Sequence, residues 1–288
     1  MTSAVVHSSR RKPIKNLPSK IVVAVISLVV LVVFVYPLVY TIINSLKTYD
    51  EFVSTPQFSL PSKIYLGNYV TVSENNFARY FLNSVMIAVL VVIFTVVFAA
   101  MAAFAISKLR FRGRKALEIF FLLGLMIPYQ VVLLPLFLTY SKLKLLNTYA
   151  SLVIPQVAFG LPFSVQLFLA FFANYEDELI EAAIIDGCSV ARAFISVVVP
   201  MCLNIIITIA TLRAIFSWNE FIFSYTFISS RSQLTVVLGL NSFVGDEGTI
   251  DWGPTFAAIS VTVIPTLIAY MFLGKYMQAG LAEGAVKG

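Results

Sequence analysis

From Ile21 to Leu46 the chain carries no charged side chain over 26 residues. Four further stretches share this property: residues 80–107, 119–141, 145–175 and 252–274 are charge-free over 28, 23, 31 and 23 positions. About 20 apolar residues, rising about 1.5 Å each, cross the roughly 30 Å hydrocarbon layer of a bilayer. Each stretch is long enough to do so. A sixth, Ala193 to Leu212, is interrupted by Pro200, so its span is read from Met201 to Tyr225, which puts Arg213 and Glu220 inside the membrane. The pattern predicts an all-α polytopic protein with six transmembrane helices, near 21–46, 80–107, 119–141, 149–174, 201–225 and 253–274. Residues 1–20, 175–200 and 276–288 then form a tail, a loop and a second tail.

Composition supports lipid as the main solvent. Hydrophobic residues make up 59% of the chain and charged residues 12%, against about 25% charged in soluble domains. Cys188 and Cys202 give no disulfide framework, and His7 is the only histidine, so a histidine-based metal site or catalytic triad lacks its ligands. The net charge of +6 reads as loop charge rather than nucleic-acid binding. The first apolar stretch exceeds the roughly 7–15 residue core of a signal peptide, and it reads as a retained helix.

Six spans put both ends on one side. With the N-terminus inside, thirteen Lys and Arg fall on cytoplasmic segments, including Arg10, Arg11, Lys12, Lys108, Arg110 and Arg112, and six on the outside. The positive-inside rule therefore predicts both termini in the cytoplasm. Pro128, Pro135, Pro155, Pro162 and Pro265 lie within spans, where proline removes a backbone bond and bends the helix. They read either as ordinary packing kinks or as bends around a cavity.

The loop 175–200 is unlike a membrane connector. Glu176, Asp177, Glu178, Glu181 and Asp186 supply five of the fourteen acidic residues within eleven positions. Leu179, Ala182, Ala183 and Asp186 keep the spacing of one helical face, with Ile180 and Ile184 beside them. Gly187 stands where a helix stops, and Ser189 can cap a second helix running to Pro200. Acids at the start favour a helix N-terminus. Helices that lie on membranes usually turn a basic face to lipid; this acidic one fits a groove on a protein partner better.

The residues Glu181-Ala182-Ala183, Gly187, Ile195 and Pro200 resemble the EAA loop of permease subunits of bacterial ABC importers. Val197 to Val199 stand where that family often has leucine. Trp218-Asn219-Glu220-Phe221, Leu240-Asn241-Ser242-Phe243, Asp251-Trp252-Gly253, Ala257-Ala258, Pro265 and the ending Gly280 to Gly288 are similar to carbohydrate-uptake members, of the maltose and multiple-sugar type second permease subunit. The likeness runs from about Leu31 to the end. It implies a type I ABC importer permease fold in the cytoplasmic membrane. It also implies a second homologous permease subunit, two ABC ATPase subunits that carry ATP and Mg, and an extracytoplasmic solute-binding protein delivering a sugar. Glu181, Ala182, Ala183, Asp186, Gly187 and Pro200 would couple to the ATPase. The chain has no G-x-x-x-x-G-K-[ST] phosphate loop, so nucleotide is expected on the partner, with no cofactor on this chain and no enzymatic role.

Arg213, Trp218, Asn219 and Glu220 are the candidate pathway residues. A charge inside lipid costs about 2.5–3.5 kcal/mol on insertion scales, so it faces a partner or a wet cavity. Arg213, where the family usually has an apolar or small residue, can be structural or can meet a polar or anionic substrate. That second reading keeps glycerol phosphate or another anionic sugar derivative open beside neutral sugars. Asn219 and Glu220 can bond hydroxyl-rich ligands or glue helices together, and Trp218 can stack on a sugar or simply pack. An ion-coupled secondary transporter would need more intramembrane acids than Glu220. A membrane enzyme would need a base and nucleophile set that the acidic cluster lacks.

Overall fold

The structure is a computed structural model and describes residues 17–173, 178–243 and 250–285. The basic tail 1–16, Glu176 and Asp177 of the acidic cluster, and Val286 to Gly288 of the ending lie outside the described residues. All the long elements are helices. They are α1 (Leu17–Ser45), α4 (Phe77–Lys108), α5 (Arg114–Gly124), α6 (Tyr129–Lys142), α7 (Tyr149–Phe172), α11 (Leu203–Trp218) and α14 (Trp252–Ala285). Shorter helices are α2 (Tyr49–Ser54), α3 (Gly67–Glu74), α8 (Glu178–Ile185), α9 (Val190–Ala193), α10 (Val199–Met201), α12 (Ile222–Phe227) and α13 (Val236–Gly239).

Among the described residues, four helices are long and apolar enough to cross a membrane, or six if each of two bent pairs counts as one span. The first bent pair is where the sequence reads one span over 119–141. Instead, α5 and α6 meet at 96°. The residue before a proline is pushed away from helical geometry, and Pro128, in extended conformation, stands directly ahead of α6. The apolar count cannot see this break. The span read over 201–225 also divides. The helical run Val190–Met201 meets α11 at 77°, and a second interruption at Asn219–Phe221 separates α11 from α12.

The core is built on α4 and α7, the most extensive helix pairing. Small residues Ala99, Ala100 and Ala103 of α4 let it approach Val165, Phe168 and Phe172 of α7, with Ile205 and Ile209 of α11 closing the cluster. Lipid tails are as apolar as these side chains, so close packing and small residues hold membrane helices together. Some buried hydroxyls are satisfied within their own helices: Ser164 donates to Gly160 O at 2.8 Å and Thr211 to Ile207 O at 2.7 Å.

One end of the bundle is stitched by asparagines. Asn147, at φ 58, accepts through Oδ1 from the amides of Ser229 (2.6 Å) and Ser230 (2.8 Å). Asn83 donates to the carbonyls of Ser232 and Leu234 at 3.1 and 2.9 Å. At the opposite end α4 finishes at Lys108, which lines the same small crevice as Ile180 of α8.

Candidate functional site: a docking helix and a membrane-embedded cleft

The helix α8 begins with Glu178 and Glu181 in its first turn. Its stop is set by Gly187, whose φ of +85 is open to glycine and strained for other residues. The amide of Gly187 donates to Ile184 O and that of Cys188 to Ala183 O, both at 3.0 Å, the paired bonds of a Schellman stop. Ser189 then caps the next helix by accepting from the Arg192 amide at 3.4 Å. That helix continues through a π-turn at Phe194–Val198 to Met201.

Ile180 packs into the α4–α7 core cluster. Leu179, Ile184 and Ile185 point outward, Ile185 being 83% exposed. Glu181, Ala182, Asp186, Gly187 and Pro200 are exposed, and Ala183 is half-buried. One flank of α8 therefore anchors the helix, and the other presents apolar side chains among carboxylates.

A cleft of about 670 Å³ opens between α6, α7 and the α11–α12 break. Arg213, Asn219 and Glu220 line it together, with Gln156 and the rings of Tyr129, Phe159, Phe163, Phe216, Phe221 and Phe223. Arg213 reaches α7, where its Nη2 donates to Gln156 O at 3.0 Å. It fits because residue 160 is glycine: a Cβ there would lie 2.7 Å from Arg213 Cζ. The guanidinium also sits 5.7 Å from the Phe216 ring centroid, within cation–π range.

The Asn219-Glu220 pair ends one helix and starts the next. Asn219 Nδ2 donates to Ile215 O at 2.8 Å, closing α11. Glu220 Oε1 accepts from the Phe223 amide at 2.6 Å, and Oε2 accepts from the Ser224 amide at 3.1 Å and its hydroxyl at 3.0 Å. The carboxylate thus satisfies donors that a helix start leaves open. Sequence reasoning missed this role. The signal was an amide and an acid side by side inside an apolar span, residues that terminate helices when no water is at hand.

Trp218 stands apart from the cleft. It is 7% exposed, donates from Nε1 to Thr262 O at 3.0 Å, and packs edge-on to Phe81 at 5.1 Å. The ring holds α11 against α14.

A multi-helix apolar bundle with an acidic helical turn projecting from one end and a polar cleft among its helices suits a membrane transport subunit. The chain belongs to the family described as the binding-protein-dependent transport system inner membrane component, which matches residues 95–282. A probable ABC transporter permease protein of Bacillus subtilis is 34% identical over 258 residues, covering 90% of this chain and 85% of that one. A trehalose/maltose transport system permease protein of Thermococcus litoralis is 33% identical, covering 93% and 97%. The fold is shared with a crystal structure of a bacterial ABC transporter involved in the import of the acidic polysaccharide alginate. That likeness has a TM-score of 0.80 at 21% identity, over 92% of this chain and 99% of that one. The protein is accordingly a multi-pass membrane permease subunit of an ABC importer. It works with a solute-binding protein and with an ATPase carried on a separate chain.

Proposed function

We propose that this subunit forms half of the translocation pathway for a sugar or oligosaccharide, and that α8 is the contact through which a separate ATPase drives it. A second homologous permease subunit supplies the other half. Two ATPase subunits, holding ATP and Mg, bind the two subunits' docking helices from the cytoplasm. The basic-residue asymmetry of thirteen against six supports the reading that both termini and α8 lie on that side.

The observation that carries this reading is α8 itself. Leu179, Ile184 and Ile185 are exposed among Glu178, Glu181 and Asp186, and a rigid glycine stop fixes the helix relative to the core. Exposed apolar side chains at helical spacing suit insertion into a protein groove. The sugar assignment draws on the trehalose/maltose relative and on Asn219-Glu220 in the matching motif.

Gly187→Val forces a β-branched residue into positive φ, costing about 1–3 kcal/mol locally, and should misdirect α8. In the reconstituted importer, substrate-stimulated ATP hydrolysis should fall about ten-fold or more while the helices still insert. Glu181→Lys should act in the same direction. Full substrate-stimulated hydrolysis in both variants would sink the docking role.

A further inference from the structure

The geometry points to the cleft between α6, α7 and α11 as a binding site for a pyranose bearing an anionic group, with Arg213 as the residue that receives the anion. This deepens the sugar-importer reading above and rests on it.

Two buried polar atoms in the cleft wall have no partner. Gln156, only 4% exposed, and Arg213 both line the cleft, and each keeps a buried polar atom without a partner, Oε1 and Nε. Buried polar atoms are rarely left so, and a turn of either side chain toward the cleft brings that atom to a ligand. One is an acceptor and the other a charged donor. A sugar hydroxyl can donate to the first while a carboxylate, sulfonate or phosphate accepts from the guanidinium.

Among the described residues Arg213 has no carboxylate bonded to it. Its Nη2 donates to a backbone carbonyl, that of Gln156. Glu220 is the acid of the same cleft, and both its oxygens are occupied by the amides and hydroxyl at the start of α12. An unpaired intramembrane cation is costly, and an anionic ligand offsets that cost.

The walls suit the rest of a sugar. Phe159, Phe163 and Phe216 offer apolar ring faces for the C–H face of a pyranose, while Asn219 adds an amide at the rim. The volume, about 670 Å³, falls within the roughly 300–1,000 Å³ of small-molecule pockets. Gly160 keeps the guanidinium seated at the α7 wall, since any side chain there would push it away.

The test uses the assembled importer in phosphatidylcholine nanodiscs, so that no anionic lipid competes. Saturation-transfer NMR then compares galacturonate with galactose, which differ in the carboxylate. In the wild-type complex galacturonate should bind roughly ten-fold more tightly, the gain expected of a charge-assisted bond. Arg213→Gln should bring it down to the galactose level, and Gly160→Ala should move it the same way without removing the charge. Equal signals for the two sugars in the wild type overturn the proposal, as does a galacturonate preference that survives Arg213→Gln. The wild-type comparison decides even where that variant does not assemble. ATP hydrolysis on the same nanodiscs separates the two readings. If hydrolysis depends on α8 while galacturonate shows no preference, the cleft assignment fails and the importer stands. If hydrolysis ignores α8 while the galacturonate preference holds, the docking role of α8 fails and the cleft assignment stands.

Discussion

On one flank of α11, Ala210, Ala214 and Trp218 face a groove of about 490 Å³ shared with α4 and α14. On the other, Arg213 and Phe216 face the cleft of about 670 Å³ shared with α6 and α7. The helical period of 3.6 residues separates the two sets onto opposite sides. The apolar flank runs along regular helices, and its polar event is the bond from Trp218 to Thr262 O. The polar flank coincides with broken backbone at Pro128 and at Asn219-Glu220. Glu220 is held where the broken backbone leaves donors open, while Arg213 reaches across to the Gln156 carbonyl of α7.

The comparison can be broken at several points. Glu220→Ala strips three hydrogen bonds from the start of α12 and should cost about 3 kcal/mol of stability, read as a lowered midpoint on thermal unfolding in detergent. A loss below about 1 kcal/mol would mean that the break holds without its cap. Trp218→Phe, on the opposite flank, removes a single neutral hydrogen bond and some packing, and should cost about 2 kcal/mol by the same assay. Gly160→Ala should cost about 1–2 kcal/mol, because the guanidinium must give way. Ala214→Leu enters open groove and should change stability by less than about 1 kcal/mol. If it costs more than Gly160→Ala, the groove is a filled interface and the contrast between the flanks fails.

The smallest effect lies outside both flanks. Glu51 Oε1 accepts from the Ser62 amide at 2.6 Å, and that bond, more than the nearby Lys47, holds the carboxyl below its ordinary value of 4.5. A carboxyl depressed in the folded state contributes its stabilisation above the unfolded pKa and loses it as pH falls through the folded one. Amide exchange at Ser62, corrected for its intrinsic rate, should therefore rise only below pH 4.5. A rise that starts at neutral pH would assign the protection to something other than Glu51.

Charge placement made several features readable. The charge-free stretches mark the helices α1, α4, α7 and α14 because burial in lipid demands long uncharged segments. The acids at 176–186 and Gly187 mark α8 and its stop because helix termini need charge and positive φ at defined places. The breaks were less legible. A proline inside a span signals a bend of any size, and only the packing of α5 against α7 and of α6 against α12 makes the one at Pro128 a 96° corner. Asn219 and Glu220 read as ligand groups or as glue between helices, since their partners, the carbonyl of Ile215 and the amides of Phe223 and Ser224, are backbone atoms that any sequence supplies. Trp218 read as a ring for stacking or for packing, and the structure shows packing. Its burial against α14 depends on a helix some forty positions away in sequence.

The bend at Cys202 has a mechanical side. The run Val190–Met201 and α11 are two stiff arms set at 77° about one residue, as in a bell crank. A push along the first arm emerges as a sideways swing of the second. The sixteen residues of α11 make that arm about 24 Å long at about 1.5 Å per residue, so turning it by about 10° carries its far end about 4 Å. Arg213 rides on this arm. The same turn would shift Arg213, about 15 Å along the arm, by about 2.6 Å, close to the length of one hydrogen bond.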